Sequence, residues 1–99
     1  MIKLTEIISV QPYQLMFRFS RNEVKLFAME TLLKNGIPHV NTEKLLLPDV
    51  FCKAKIGELG QLYWNNVATM KQGNTTIACD YDISPEYVYY NSINIKPND

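Results

Sequence analysis

Two aspartates, Asp80 and Asp82, sit two residues apart in "DYDISPEYVYYN", and with Ser84 they fall at the first, third and fifth places of a would-be calcium loop. That loop needs a glycine at its sixth place and a bidentate glutamate at its twelfth. Pro85 and Asn91 stand there instead, so the calcium reading fails. Alternating carboxylates on one strand face could still hold a hydrated cation or share a proton as acid and base. With Trp64 as a platform, Asp80 and Asp82 form the candidate ligand-binding set. The plainer reading is a solvated sheet face and a core tryptophan.

Other chemistries are poorly supplied. His39 is the only histidine, in a segment expected to be a loop after Pro38. Two cysteines, Cys52 and Cys79, with one histidine lack the spacing of a structural zinc site. Both are expected to be reduced thiols. There is no phosphate-binding G-x-x-x-x-G-K-[ST] and no dinucleotide G-x-G-x-x-G. No catalytic set, cofactor or metal site emerges. "NTT" at 74–76 matches a glycosylation acceptor but is read as part of a turn.

The chain that must position these residues has 99 of them, enough for one small domain. Hydrophobic residues make up 46%, sufficient for a single core. Ten acids balance ten bases, so no net field recruits nucleic acid or an anionic membrane. Lys3, Arg18, Arg21 and Lys25 form the only nucleus of a basic patch. The first ten residues carry Glu6 and no long apolar run, which argues against a signal peptide or membrane span and points to a cytoplasmic address.

Periodicity is mostly two. "IKLTEIISV" places Ile2, Leu4, Ile8 and Val10 on one face, interrupted by Glu6. "YQLMFRF" places Tyr13, Leu15, Phe17 and Phe19 together. A two-residue turn at Arg21-Asn22 would set Phe19 against Val24, Phe17 against Leu26 and Leu15 against Ala28. Arg18 would then oppose Lys25 and lean toward Glu23. "METLLKNGIP" reads as a short helix stopped by Gly36 and Pro38. Pro48 and Asp49 can open one helical turn that buries Phe51. "AKIGELGQLYW" reads as two strands around a Gly-bounded turn. A long hairpin follows with its tip at Gln72-Gly73, pairing Leu62 with Ile83, Trp64 with Tyr81, Asn66 with Cys79 and Ala68 with Ile77.

The last element is a helix. Ser84 is its N-cap, Pro85 its first residue, and Glu86 meets the positive end of the dipole. Ile83 and Val88 are spaced for a hydrophobic staple. Tyr87 and Tyr90 are expected on the buried side and Tyr89 outside. Tyr63, Tyr89 and Tyr90 are the candidates for a partner-binding surface, since tyrosine is common at such surfaces.

The order of "VQPYQLMFRFSRNEVKLFAMETLL", "LPDVFCKAKIGELGQLYW" and "DYDISPEYVYYNSI" resembles a small bacterial family known as domain of unknown function 2442, over residues 2–93. Two stretches depart from its pattern. Arg21-Asn22 replaces a common Asp-Gly turn, and "NNVATMKQGNTTIAC" replaces a short link with an extended hairpin. The resemblance implies an α+β fold with a bent, mainly antiparallel sheet and two or three short helices. It implies no activity; pairing with a second small protein, of the toxin–antitoxin kind, is what it suggests. The expectation is therefore one domain over residues 1–99, polar from 94 onward. It would be a non-enzymatic module that binds a small protein or itself. The alternatives are a ligand- or metal-binding protein using Asp80 and Asp82, and a nucleic-acid-binding regulatory subunit.

Overall fold

A computed structural model describes residues 1–36 and 40–95. Pro38, His39 and residues 96–99 lie outside the described residues. The fold is α+β, with two antiparallel sheets rather than one bent sheet. The first has the order β1-β2-β3-β8, from Leu4–Gln11, Gln14–Phe19, Val24–Ala28 and Ile93–Asn94. The second is built on β6 (Leu62–Gln72). β7 (Thr75–Ile83) runs along one side of it; β4 (Val40–Asn41) and β5 (Lys55–Ile56) pair with different ends of the other. Helices α1 (Glu30–Asn35), α2 (Pro48–Phe51) and α3 (Pro85–Tyr90) and a 3-10 turn at Glu43–Leu46 complete the chain.

The sheets face one another through Leu15, Phe17, Phe19 and Phe27 on one side and Leu62, Trp64, Tyr81 and Ile83 on the other, all buried. Met29, Leu33, Leu45, Phe51 and Val88 fill the remaining space. Residues 94 and 95, expected to open a polar tail, belong to the first sheet. Ile93–Asn94 pairs with Leu26 and Lys25, and the Ile95 N–H donates to the Val24 carbonyl.

The first hairpin departs from expectation by one residue. Its loop is Ser20-Arg21-Asn22: the Asn22 N–H donates to the Phe19 carbonyl, and the Phe19 N–H donates to the Glu23 carbonyl. Asn22 takes φ 64. This is the three-residue turn with a left-handed third residue. It shifts the register so that Phe17 opposes Lys25 and Leu15 opposes Phe27. A shift of one changes which face each β3 residue occupies. Phe27 and Lys25 therefore go in, while Leu26 is only half-buried.

β1 also departs from simple alternation. Pairing with β2 skips Thr5 and Ile8, which makes two bulges. Each bulge resets the phase. Leu4 is buried, Ile7 and Val10 pack partly against the core, and Ile8 faces solvent. Glu6, which broke the alternating pattern, points outward and pairs with Arg18 at 3.1 Å. Arg18 thus leans to β1, not toward Glu23.

Where β1 meets the β5–β6 loop, the Leu4 N–H donates to the Gly60 carbonyl at 3.0 Å. Gly60 has φ +76, and a Cβ there would lie 2.5 Å from the Lys3 Cβ. Only glycine meets both demands.

Candidate functional site

The long β6–β7 hairpin holds most of the residues singled out above. Its base is anchored in the core. Trp64 has no exposed surface, stacks on Tyr81 with centroids 5.9 Å apart, and lies 5.6 Å from Phe51. Its indole N–H donates to the Phe51 carbonyl at 2.8 Å. Burial also raises the Tyr81 hydroxyl pKa above its ordinary value, with Tyr87 adding to the shift. Leu62 opposes Ile83 and Trp64 opposes Tyr81, as expected.

Beyond Trp64 the register changes. Ala68 pairs with Cys79, so Asn65, Asn66 and Val67 together oppose Asp80 alone. Asn66 turns to φ 51, and its N–H donates to Asp80 Oδ1 at 2.9 Å. The extra residues carry the tip to Gly73-Asn74, one position past the expected one, with Gly73 at φ +61. Gly73 supplies the positive φ that such a two-residue loop requires. From Met70 to Ala78 every residue is exposed. The described chain measures 55 × 26 × 20 Å along its principal axes. Met70 and Ile77 face each other across it, 36% and 38% exposed.

The aspartate set is therefore not gathered in a pocket with Trp64. Asp80 and Asp82 share the outer face of β7, while Trp64 lies on the inner face. Asp80 is engaged in closing the bulge. Asp82 is exposed opposite Tyr63. Among the described residues no three of His, Cys, Asp and Glu come together as a metal site. Cys52 is exposed and Cys79 half-buried; both are free thiols.

The tyrosines of α3 reverse the expected arrangement. Ser84 accepts from the Tyr87 N–H at 3.1 Å, and Ile83 and Val88 are both buried as a staple requires. Pro85 and Val88 are buried and Tyr89 packs half-buried beside them; Tyr87 is 44% exposed and Tyr90 is 74% exposed. The Tyr89 ring meets Phe19 edge-on at 5.2 Å, and its hydroxyl donates to the Glu23 carboxylate at 2.7 Å. That hydrogen bond, with a smaller contribution from burial, raises the Tyr89 pKa, and Arg21 pulls the other way. Tyr90 packs edge-on against Tyr89, while Tyr63 joins neither ring. The three candidate tyrosines do not form one patch.

Sequence reasoning missed Lys25. It is buried on the core face of β3, with Nζ 3.9 Å from the Tyr89 ring centroid and 3.1 Å from the Tyr89 carbonyl oxygen. That carbonyl ends α3, where the helix can no longer supply an N–H. A lysine meets the need while laying its aliphatic stem on apolar surface. The signal lay in the loop: counting Asn22 as a left-handed third residue places Lys25 inside.

A second miss is the state of the sheet edges. β1 is an outer edge broken by two bulges, and the free side of β3 is paired with β8. Among the described residues β7 pairs with β6 alone, and its nine residues run without an insertion. The far side of β6 meets, among the described residues, only the two-residue strands β4 and β5.

No family model, curated protein or solved structure matches this chain. Among the described residues no helix is long and apolar enough to cross a membrane.

Proposed function

We propose that this chain is a non-enzymatic protein-interaction module that receives a partner's strand along β7. One observation carries the reading: among the described residues, β7 alone offers a long strand edge that is both regular and unpaired. Exposed edges invite other chains, and folded proteins commonly blunt them with bulges, charge or very short strands. β1 and the β4/β5 side are treated in that way. β7 has neither a bulge nor a short length; its charges are Asp80, which the Asn66 N–H engages, and Asp82, and its exposed Ile77 faces Met70 of β6 across the arm. Strand addition draws its affinity from main-chain hydrogen bonds and its selectivity from alternate side chains.

The pairing with a small protein of the toxin–antitoxin kind, in a bacterial cytoplasm, rests on the family resemblance and is part of this proposal. The two alternatives draw less support. Asp80 is committed to the Asn66 N–H, and Trp64 faces away from both aspartates. Of the basic nucleus, Arg18 is paired with Glu6 and Lys25 is buried under α3.

The test is light scattering of the purified chain with affinity capture from its native host, repeated on Ala78→Pro. Proline is tolerated on an edge strand where its missing N–H would face solvent. The expected result is self-association or specific capture that the substitution abolishes while the fold persists. A monomer that captures nothing overturns the proposal.

A further inference from the structure

The occupant of the β7 edge can be narrowed from the strand itself. A two-residue loop closes on a hydrogen-bonded pair, here Gln72 and Thr75. Hydrogen-bonded pairs then alternate along β7, so Thr75, Ile77, Cys79, Tyr81 and Ile83 direct their backbone groups toward β6. Thr76, Ala78, Asp80 and Asp82 direct theirs outward. The bulge lies in β6, so this alternation continues along the whole of β7.

We infer that the β7 edge takes a second copy of itself, antiparallel, with Cys79 on the two-fold axis. This rests on the strand-addition reading above and names its partner. Cys79 is the midpoint of Thr75–Ile83, so only this register pairs the strand along its full length. Outward residues then meet outward residues: Thr76 with Asp82 of the second copy, and Ala78 with Asp80. No carboxylate opposes another. Sliding by two residues in one sense sets Asp80 against Asp80, which like-charge repulsion disfavours. Sliding in the other sense sets Ile83 against Gly73 and leaves the strand ends unpaired.

Side-chain rows support the same register. Lys71 neighbours Thr76 across the arm, and Thr76 would neighbour Asp82 of the second copy. Lys71 and that Asp82 then share one face, about 10 Å apart at two strand spacings. A lysine can reach across the threonine between them, and the two-fold axis makes this contact twice. The arm tip is basic and its base acidic, so antiparallel pairing joins unlike ends. On the other face, Ile77 would stand directly opposite Tyr81 of the second copy, an aromatic and β-branched cross-strand pair at the rim of that copy's core. Cys79 would meet Cys79 in a non-hydrogen-bonded pair, with Cα atoms about 4.5 Å apart.

That last contact gives the decisive experiment. Sedimentation velocity first measures the association state of the reduced protein at micromolar concentrations. The Cys52→Ser chain is then treated with diamide, which takes up two electrons and two protons as two thiols become one disulfide. The expected result is a reduced dimer and a diamide-linked dimer sensitive to thiol reductant, with no linked dimer when Cys79→Ser is added to Cys52→Ser. Ala78→Pro should be a folded monomer that does not cross-link. Asp82→Lys should weaken the dimer about tenfold, and pairing it with Lys71→Asp should restore it.

A dimer that does not link through Cys79, or that survives Ala78→Pro, overturns the inference. A monomer that nevertheless captures a host protein through the same edge overturns the second copy as occupant and leaves strand addition standing. A monomer that captures nothing overturns both.

Discussion

The two halves of the β6–β7 hairpin are made by the same strands and serve opposite ends. Near the base, Leu62, Trp64, Tyr81 and Ile83 are buried. Past the Asn66 bulge, the residues from Met70 to Ala78 stand in solvent. Alternation continues along β7 through both halves, while the bulge resets it in β6; what the arm lacks is an opposing sheet. An isolated two-stranded ribbon is marginal in water. The arm persists because its root is clamped by the core and by β4, which pairs Val40 with Met70 and Asn41 with Thr69. The base therefore supplies stability that the arm uses.

That division can be tested by substitution. Trp64→Ala should have the largest effect, removing a fully buried ring and orphaning the Phe51 carbonyl. Losses of about 3–5 kcal/mol are expected for such a truncation, read as a lower urea midpoint for the whole domain. Ser84→Ala leaves the core intact and removes one cap hydrogen bond from the helix that follows the base. It should cost about 1 kcal/mol, and an unchanged midpoint would show that the cap contributes nothing. Ile77→Thr, on the arm, should change stability by less than about 0.5 kcal/mol, yet measurably weaken association. If Ile77→Thr unfolds the domain as readily as Trp64→Ala, the two halves are not different in kind.

Much of the fold was legible because the strongest signals were local. Leu15, Phe17 and Phe19 alternate without interruption and are buried; Ser84-Pro85-Glu86 opens a helix; Pro48 opens the turn that buries Phe51. The failures were failures of phase. A single left-handed Asn22 turned a two-residue loop into three and exchanged Leu26 for Phe27 and Lys25 on the core face. Insertions at Thr5 and Ile8, and beside Asn66, changed register inside strands where nothing in the alternation announces them. The tyrosines failed for a related reason. Tyr87 and Tyr90 are three apart and make a plausible stripe, but Pro85, Val88 and Tyr89 make another. The staple residue Val88 belongs to the second. The candidate site was less legible than the fold. Openness of an edge depends on which strands arrive beside it, and that is decided by distant residues such as Ile93 and Asn94.

The interrupted edge of β1 limits how far any assembly can extend. In the proposed dimer, two copies joined through β7 would consume the one long regular edge among the described residues of each; what would remain outward there is a doubly bulged strand, a covered strand and two short ones. Such a sheet would close at a pair and offer no regular edge to a third chain, so the geometry that would permit docking would also oppose filament growth.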